Sequence, residues 1–135
     1  MTMDIKTFTF PLRGDDRGAL VAVEQLKDIP FEIKRIYYIY GTRSGVRRGF
    51  HAHKTLDQVL VCVNGFCKVL MDDGEEKKTF ILDKPYEGLS VPRHIWHEMY
   101  DFSPDAVLLV LASDLYCEDD YLRSYEQFLT FIKGK

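Results

Sequence analysis

"RGFHAHKTLDQVLVCVNG" occupies Arg48 to Gly65. His51 and His53 are separated by one residue. In a β-strand, residues i and i+2 point to the same face, so both imidazoles face one side. Gln58 opens an apolar, β-branched run that ends at Asn64-Gly65, a strong two-residue turn signal. The histidine spacing is that of a metal site in which one ligand, at Gln58, has been replaced.

The other two histidines, His94 and His97, fall in "VPRHIWHEM" (Val91–Met99). Pro92 marks a turn, and His97 sits where a further strand begins. Two turn-strand units thus bring His51, His53 and His97 toward one cavity. A single strand histidine is usually an ordinary satisfied residue; three grouped this way point to a site.

The rest of the chain reads as short strands separated by turns. Thr7–Phe10, Ala19–Glu24, Ile33–Tyr40, Lys77–Leu82, Leu89–Val91, Glu98–Phe102 and Val107–Ser113 are expected strands. Gln58–Asn64 and Phe66–Met71 are expected to form a hairpin. "RGDDRG" (Arg13–Gly18) and Asp72–Gly74 read as turns, and Gly41–Gly49 as a loop. Such a series predicts an all-β sandwich or barrel. Only "YLRSYEQFLTFIK" (Tyr121–Lys133) has helical periodicity, through Leu122, Tyr125, Phe128, Leu129 and Ile132. It predicts one amphipathic helix, with the acids of "CEDDY" (Cys117–Tyr121) at its N-terminus.

The 135 residues suit a single domain over 1–135. A net charge of −3 argues against a protein that coats nucleic acid. It leaves room for a phosphorylated ligand held by a few local arginines. No stretch approaches a membrane span. The polar start "MTMDIKTFTF" and three cysteines without a CxxC pair predict a reducing, cytoplasmic setting. Cys62 and Cys67 read as packing residues.

From Gly49 to Asp101 the chain resembles the cupins. His51, His53, Gln58 and Gly65 hold the spacing of the first cupin motif. Gly88, Pro92 and His97 hold that of the second, with His94 at the usual glycine position. The resemblance implies a small cupin, a jelly-roll barrel with a C-terminal helix. Gln58 stands where a metal cupin would place a carboxylate, and a neutral amide is the weaker ligand. Asp57 should point to the opposite face. The pocket therefore reads as metal-free and in need of no cofactor, suited to proton transfer by neutral imidazoles.

"RGALVAVE" (Arg17–Glu24), "IPFEIKRIYYIY" (Ile29–Tyr40), "RGFHAHK" (Arg48–Lys54), "WHEM" (Trp96–Met99) and "LASDLYCEDDYLRSY" (Leu111–Tyr125) extend a narrower resemblance almost end to end. They resemble the sugar 3,4-ketoisomerases acting on dTDP-4-keto-6-deoxy-D-glucose. The resemblance implies a cytoplasmic homodimer with exchanged N-terminal strands. It implies a metal-independent shift of the carbonyl from C4 to C3, with a galacto product favoured over gluco. It also implies a downstream aminotransferase making a 3-amino-3,6-dideoxyhexose for surface glycans. His51 and His53 are then the acid/base pair, His51 acting at the sugar and His53 assisting.

Tyr37 shares a strand face with Arg35 and Ile39 and is a candidate donor or relay, the alternative being an ordinary buried tyrosine. Arg17, Arg35 and Arg48 are candidates for the diphosphate and the developing enolate, whereas Arg43 and Arg47 read as solvated. Gln58 and His97 are expected to line the pocket. Trp96 is expected against a ligand ring, core packing being the alternative, and His94 at the surface. The competing readings are a metal-dependent cupin enzyme, a dTDP-sugar epimerase and, less favoured, a sugar-binding module.

Overall fold

The computed structural model of the chain describes residues 3–134; residues 1, 2 and 135 lie outside the described residues. Its strands are β1 (Thr7–Thr9), β2 (Leu12–Asp15), β3 (Gly18–Val21), β4 (Arg35–Tyr40), β5 (Arg48–His53), β6 (Gln58–Asn64), β7 (Cys67–Asp72), β8 (Lys77–Leu82), β9 (Glu87–Val91), β10 (Trp96–Tyr100), β11 (Val107–Ala112) and β12 (Tyr121–Leu122). A 3-10 turn covers Glu118–Asp120, and one helix, α1, covers Tyr125–Lys133. Two five-stranded sheets, β1-β9-β6-β11-β4 and β12-β5-β10-β7-β8, face each other, and β2-β3 forms a separate ribbon. This is the expected small all-β cupin.

Apolar residues decide how the layers stack. Leu60, Leu89, Leu108 and Val110 of the first sheet meet Val69, Met71 and Met99 of the second in the main core. The reverse face of the first sheet is also covered, with Val59, Val61 and Leu111 under Phe10 and Ile29. Buried on both faces, β6 reads as a continuous apolar run rather than an alternating one. β4 alternates between half-buried and exposed, which turns Arg35, Tyr37 and Ile39 inward.

Three expectations need correction. The turn at Asn64-Gly65 is present, with Gly65 at φ 70°, but β6 and β7 do not form a hairpin. β6 pairs with β9 and β11, and β7 with β8 and β10, so the turn passes the chain from one sheet to the other. Ser103 pins that corner by accepting from the Phe66 amide through Oγ and donating its own amide to the Phe66 carbonyl. A Cβ on Gly65 would lie 2.2 Å from Ser103 Oγ, so this corner needs glycine.

The helix begins at Tyr125 rather than Tyr121. Tyr121 and Leu122 extend the second sheet by pairing with His53 and Ala52 of β5. Ser124 is the helix cap, its hydroxyl accepting from the Gln127 amide at 3.1 Å. The Ser124-x-x-Gln127 spacing is that of a capping box and marks this start in the sequence. The acids of "CEDDY" therefore belong to the 3-10 turn before β12, not to the start of α1. Finally, "RGDDRG" supplies parts of both strands of the β2-β3 ribbon as well as their turn.

Candidate active site

The two motifs meet across one ladder. His97 of β10 is paired directly with His51 of β5. Their rings lie 4.6 Å apart, those of His51 and His53 5.0 Å, and those of His53 and His97 6.0 Å. Gln58 enters from the opposite sheet, buried like His53 and His97. Its Nε2 donates to the Tyr37 hydroxyl at 2.8 Å, while its Oε1 has no partner among the described residues. Asp57 points the other way, as expected, and is held by Arg93 at 2.9 Å.

Backbone carbonyls orient two of the imidazoles. His51 Nδ1 lies 3.1 Å from the Gly49 carbonyl, and His97 Nδ1 3.3 Å from that of Ile95. A carbonyl only accepts, so in each neutral ring Nδ1 carries the proton and Nε2 is the basic nitrogen. His53 Nδ1 lies 3.3 Å from Asp120 Oδ2, off-line, so that neither of its ring nitrogens has an in-line hydrogen bond. Burial lowers the pKa of all three. For His53, burial and the neighbouring His51 outweigh Asp120, and the value falls to about 4. His97 is pushed well below its ordinary value by burial and then by the two other rings. His51 is lowered by burial, against the opposing effect of the Gly49 carbonyl. All three are therefore neutral bases at neutral pH.

A bulge in β5 shapes the rest of the site. His97 faces His51, but Glu98 faces Gly49 and Met99 faces Arg48, leaving Phe50 unmatched. Gly49 has φ 93° and Phe50 φ 62°. The extra residue reverses the parity of the strand, so Arg48 turns to the same side as His51. Arg48, His51, Arg35 and Tyr37 line one cavity of about 340 Å³. Tyr116, Tyr121 and Arg123, from the segment after β11, close its side. No carboxylate is in this lining. Arg35 lies 5.1 Å from the Tyr37 ring and 5.6 Å from that of Tyr116, and its buried Nε and Nη2 have no hydrogen-bond partner among the described residues.

A second cavity of about 270 Å³ lies behind His53. It shares Arg35 and Tyr121 with the first. Its remaining lining includes Lys54, Thr55, Asp114, Asp119 and Asp120. Asp120 is fixed there: Oδ1 accepts from the Thr55 amide at 2.8 Å and hydroxyl at 2.7 Å, and Oδ2 from the Leu56 amide at 3.2 Å. The Tyr121 ring packs edge-on against both His51 and His53, at 5.1 Å and 4.5 Å.

Two residues expected at the site lie elsewhere. Trp96 lines neither imidazole cavity. Its Nε1 donates to Glu98 at 2.9 Å, and its ring packs 5.4 Å from Tyr125 and 6.0 Å from Phe128, under the helix. A side chain on the strand face opposite His97 belongs to this outer core. Arg17 is on the β2-β3 ribbon, strongly exposed and bonded to Asp15, and lines neither imidazole cavity. Two further residues depart from their expected surface settings. His94 is half-buried, its Nε2 donating to the Lys54 carbonyl at 2.9 Å, and its φ of 71° explains the usual glycine there. Arg47 is not simply solvated, being paired with Glu98 at 2.6 Å and stacked 4.0 Å from the Tyr100 ring.

Sequence reasoning missed Asp120, Tyr116, Tyr121 and Arg123. The signal was the capping box, which releases Asp120, Tyr121 and Arg123 from the helix and its entry; Tyr116 carries no such signal.

A metal has a geometric place here. One ring nitrogen from each of His51, His53 and His97 lies within 4.8 Å of the others. Three imidazoles fit a borderline divalent ion, and the neutral amide of Gln58 would be a weaker ligand than the carboxylate it replaces.

Comparison with known proteins places this geometry. The family described as FdtA: WxcM-like, C-terminal matches residues 3–133. A TDP-4-oxo-6-deoxy-alpha-D-glucose-3,4-oxoisomerase of Aneurinibacillus thermoaerophilus is 53% identical over 130 residues, covering 96% of this chain and 94% of that protein. A 3,4-ketoisomerase of Helicobacter canadensis is 49% identical, with a TM-score of 0.95 over 98% of this chain and 99% of that one. The H51N variant of the 3,4-ketoisomerase QdtA from Thermoanaerobacterium thermosaccharolyticum, in complex with TDP-4-keto-6-deoxyglucose, is 39% identical. Its TM-score is 0.96 over 100% of this chain and 98% of that one. The chain belongs to the FdtA family and is an enzyme of the sugar 3,4-ketoisomerase class.

Proposed function

We propose that residues 1–135 act as one domain that converts dTDP-4-keto-6-deoxy-D-glucose into a dTDP-3-keto-6-deoxyhexose. The observation that carries this reading is the cavity that Arg35 and Arg48 line together with His51, with no carboxylate among its described lining residues; Arg123, at its side, is paired with Glu118 at 2.6 Å. An anionic sugar nucleotide suits this cavity, whereas the three aspartates behind His53 would repel its diphosphate.

His51 Nε2 removes the proton from C3, leaving an enediolate across C3 and C4. Arg35, whose buried Nε and Nη2 have no hydrogen-bond partner among the described residues, stabilises the developing oxyanion. Tyr37, oriented by Gln58, donates to the former C4 carbonyl oxygen. Burial raises its pKa, so it remains a protonated donor at neutral pH. A proton then arrives at C4, and loss of the O3 proton places the carbonyl at C3. Gln58 and His97 hold the polar frame of the cavity, and Arg48 takes the diphosphate. The histidine replaced in the substrate-bound QdtA variant carries the number that His51 has here.

The reaction proceeds without a metal. An ion held by His51, His53 and His97 would polarise a sugar carbonyl, but it would occupy the lone pairs that proton transfer needs.

The protein works as a homodimer with exchanged N-terminal strands, as the family resemblance implies. The β2-β3 ribbon supports this: it stands as a separate two-stranded sheet and exposes Leu12 and Leu20. Such a ribbon is marginal in water without a partner surface. Arg17, carried on it, binds substrate from the partner's side. The setting is the cytoplasm, where thiols such as Cys62, Cys67 and Cys117 stay reduced. The product is galacto-configured at C4, and an aminotransferase acting on its 3-keto group follows.

Proton NMR of the metal-stripped protein with this substrate in deuterated water tests the reading. The expected product is a 3-keto sugar with deuterium at C4, and the coupling of its neighbouring protons gives the C4 configuration. Turnover only after metal is added would overturn the metal-free step, and unchanged substrate under both conditions would overturn the substrate assignment.

A further inference from the structure

The two histidines of the HxH pair open onto different cavities. His51 lines the arginine-rich cavity, and His53 the one behind it. The rear cavity is too acidic for a diphosphate, yet its Asp114, Asp119, Asp120, Lys54 and Thr55 suit ordered water. At about 270 Å³ it has room for several waters. Between the cavities stand Arg35 and Tyr121, and the imidazole nitrogens offer a path past them. Ring nitrogens of His51 and His53 lie within 4.8 Å, a gap that one water bridges. Both nitrogens of His53 lack an in-line hydrogen bond although the side chain is only 2% exposed. Its carboxylate neighbour, Asp120, is held by Thr55 and Leu56 and accepts a charged imidazolium without having to move.

From this arrangement we infer that the rear cavity is a proton port: the C3 proton taken by His51 passes through His53 to its water and is exchanged with solvent before C4 is protonated. Asp120 is a positioning residue in this route. This inference rests on the carbonyl migration proposed above and adds the path that the proton takes. The transfer is balanced: His51 Nε2 gains the C3 proton, His53 receives a proton through the bridging water, and the rear waters take it up. A solvent proton returns along the same path for delivery to C4.

Cys117 gives a way to close the port. It is exposed and lines the rear cavity, whereas Cys62 and Cys67 are buried. The experiment uses substrate deuterated at C3, in ordinary water, at low conversion. The readout is the fraction of product carrying deuterium at C4, a ratio that partial loss of folded protein does not change. The unmodified protein is expected to lose nearly all the label. Protein alkylated at Cys117 with a bulky maleimide should retain at least threefold more at C4, and Cys117→Phe should shift the ratio in the same direction. Cys117→Ala treated with the same reagent should behave as the unmodified protein does. Asp120→Asn should lower kcat about tenfold or more and displace the acid limb of its pH profile while leaving KM in place. Thr55→Val, which removes an anchor but not the charge, should leave that limb unmoved.

Label retained at C4 by the unmodified protein would overturn the port, because the proton would never leave. Equal loss with the port blocked would do the same, since exchange would then run through the sugar cavity. An absence of product from the unmodified protein would instead overturn the carbonyl migration itself.

Discussion

Gln58 Nε2 donates to the Tyr37 hydroxyl at 2.8 Å, spanning from β6 to β4 across the intervening strand β11. This one bond joins the residue that departs from the metal-cupin pattern to the residue best placed as a proton donor. An amide can donate to a hydroxyl oxygen and leave that hydroxyl's own proton free for the substrate. A carboxylate could only accept it.

Gln58→Glu therefore reverses the bond and adds a charge beside three imidazoles. We expect turnover to fall more than tenfold and zinc affinity, by calorimetry, to rise more than tenfold over the parent protein. Equal zinc affinity in the two proteins would show that the amide is not what disfavours the metal.

His51→Asn removes the base that faces the arginine-lined cavity. General-base catalysis typically contributes about 10²–10⁴-fold, and kcat should fall by that order. The affinity for TDP, read by calorimetry, should stay within about twofold, because the arginines remain. A comparable loss of TDP binding would mean that His51 holds the nucleotide.

The lowered histidine pKa values set a pH window. His53 titrates near 4 in the fold and near 6.5 in the unfolded chain. Between these values the unfolded state binds more protons, so stability rises with pH there and is lost on acidification. For His53 alone the loss across the window is about 3 kcal/mol, and His51 and His97 shift in the same direction. Urea midpoints should drop between pH 7 and pH 4.5, and the acid limb of kcat/KM should lie below pH 6.5. A limb at or above pH 7 would contradict neutral, buried bases.

Gly49→Ala probes the bulge. The added Cβ would lie 2.9 Å from the His97 carbonyl oxygen, at a φ of 93°. The strain should cost about 1–3 kcal/mol by chemical denaturation. Since Gly49 also accepts from His51 and precedes the bulged Phe50, kcat should fall as well. A variant of unchanged stability and activity would remove the bulge from the account of the site.

Phe128→Ala tests the helix seat. Phe128 is fully buried against Trp96 and Leu122 on the outer face of the second sheet. Truncation should cost about 3–5 kcal/mol. Because Trp96 lies outside both cavities, the folded fraction should keep the KM of the parent. A raised KM would show that this face supports substrate binding after all.

Much of this protein is written in local sequence. Alternation at Arg35–Tyr40 assigns the inward face of β4, and the HxH spacing puts His51 and His53 on one side of β5. Gln58 announces a departure from metal chemistry, and the Ser124-x-x-Gln127 box marks the helix start. These features depend on period-two geometry, side-chain chemistry and backbone capping within a few residues, so each can be read from its own stretch.

Tertiary structure decided the rest. The turn at Asn64-Gly65 is the same local object whether it closes a hairpin or passes the chain between sheets. The partners of β6 and β7, distant in sequence, made that choice. The bulge at Phe50 exists only against β10, and it turns Arg48 inward where strict alternation would turn it out. Trp96 became core because a helix packs on its face of the sheet. Asp120 meets His53 because β12 pairs with β5, bringing together residues 67 apart, a contact set by register and loop closure rather than by any local pattern.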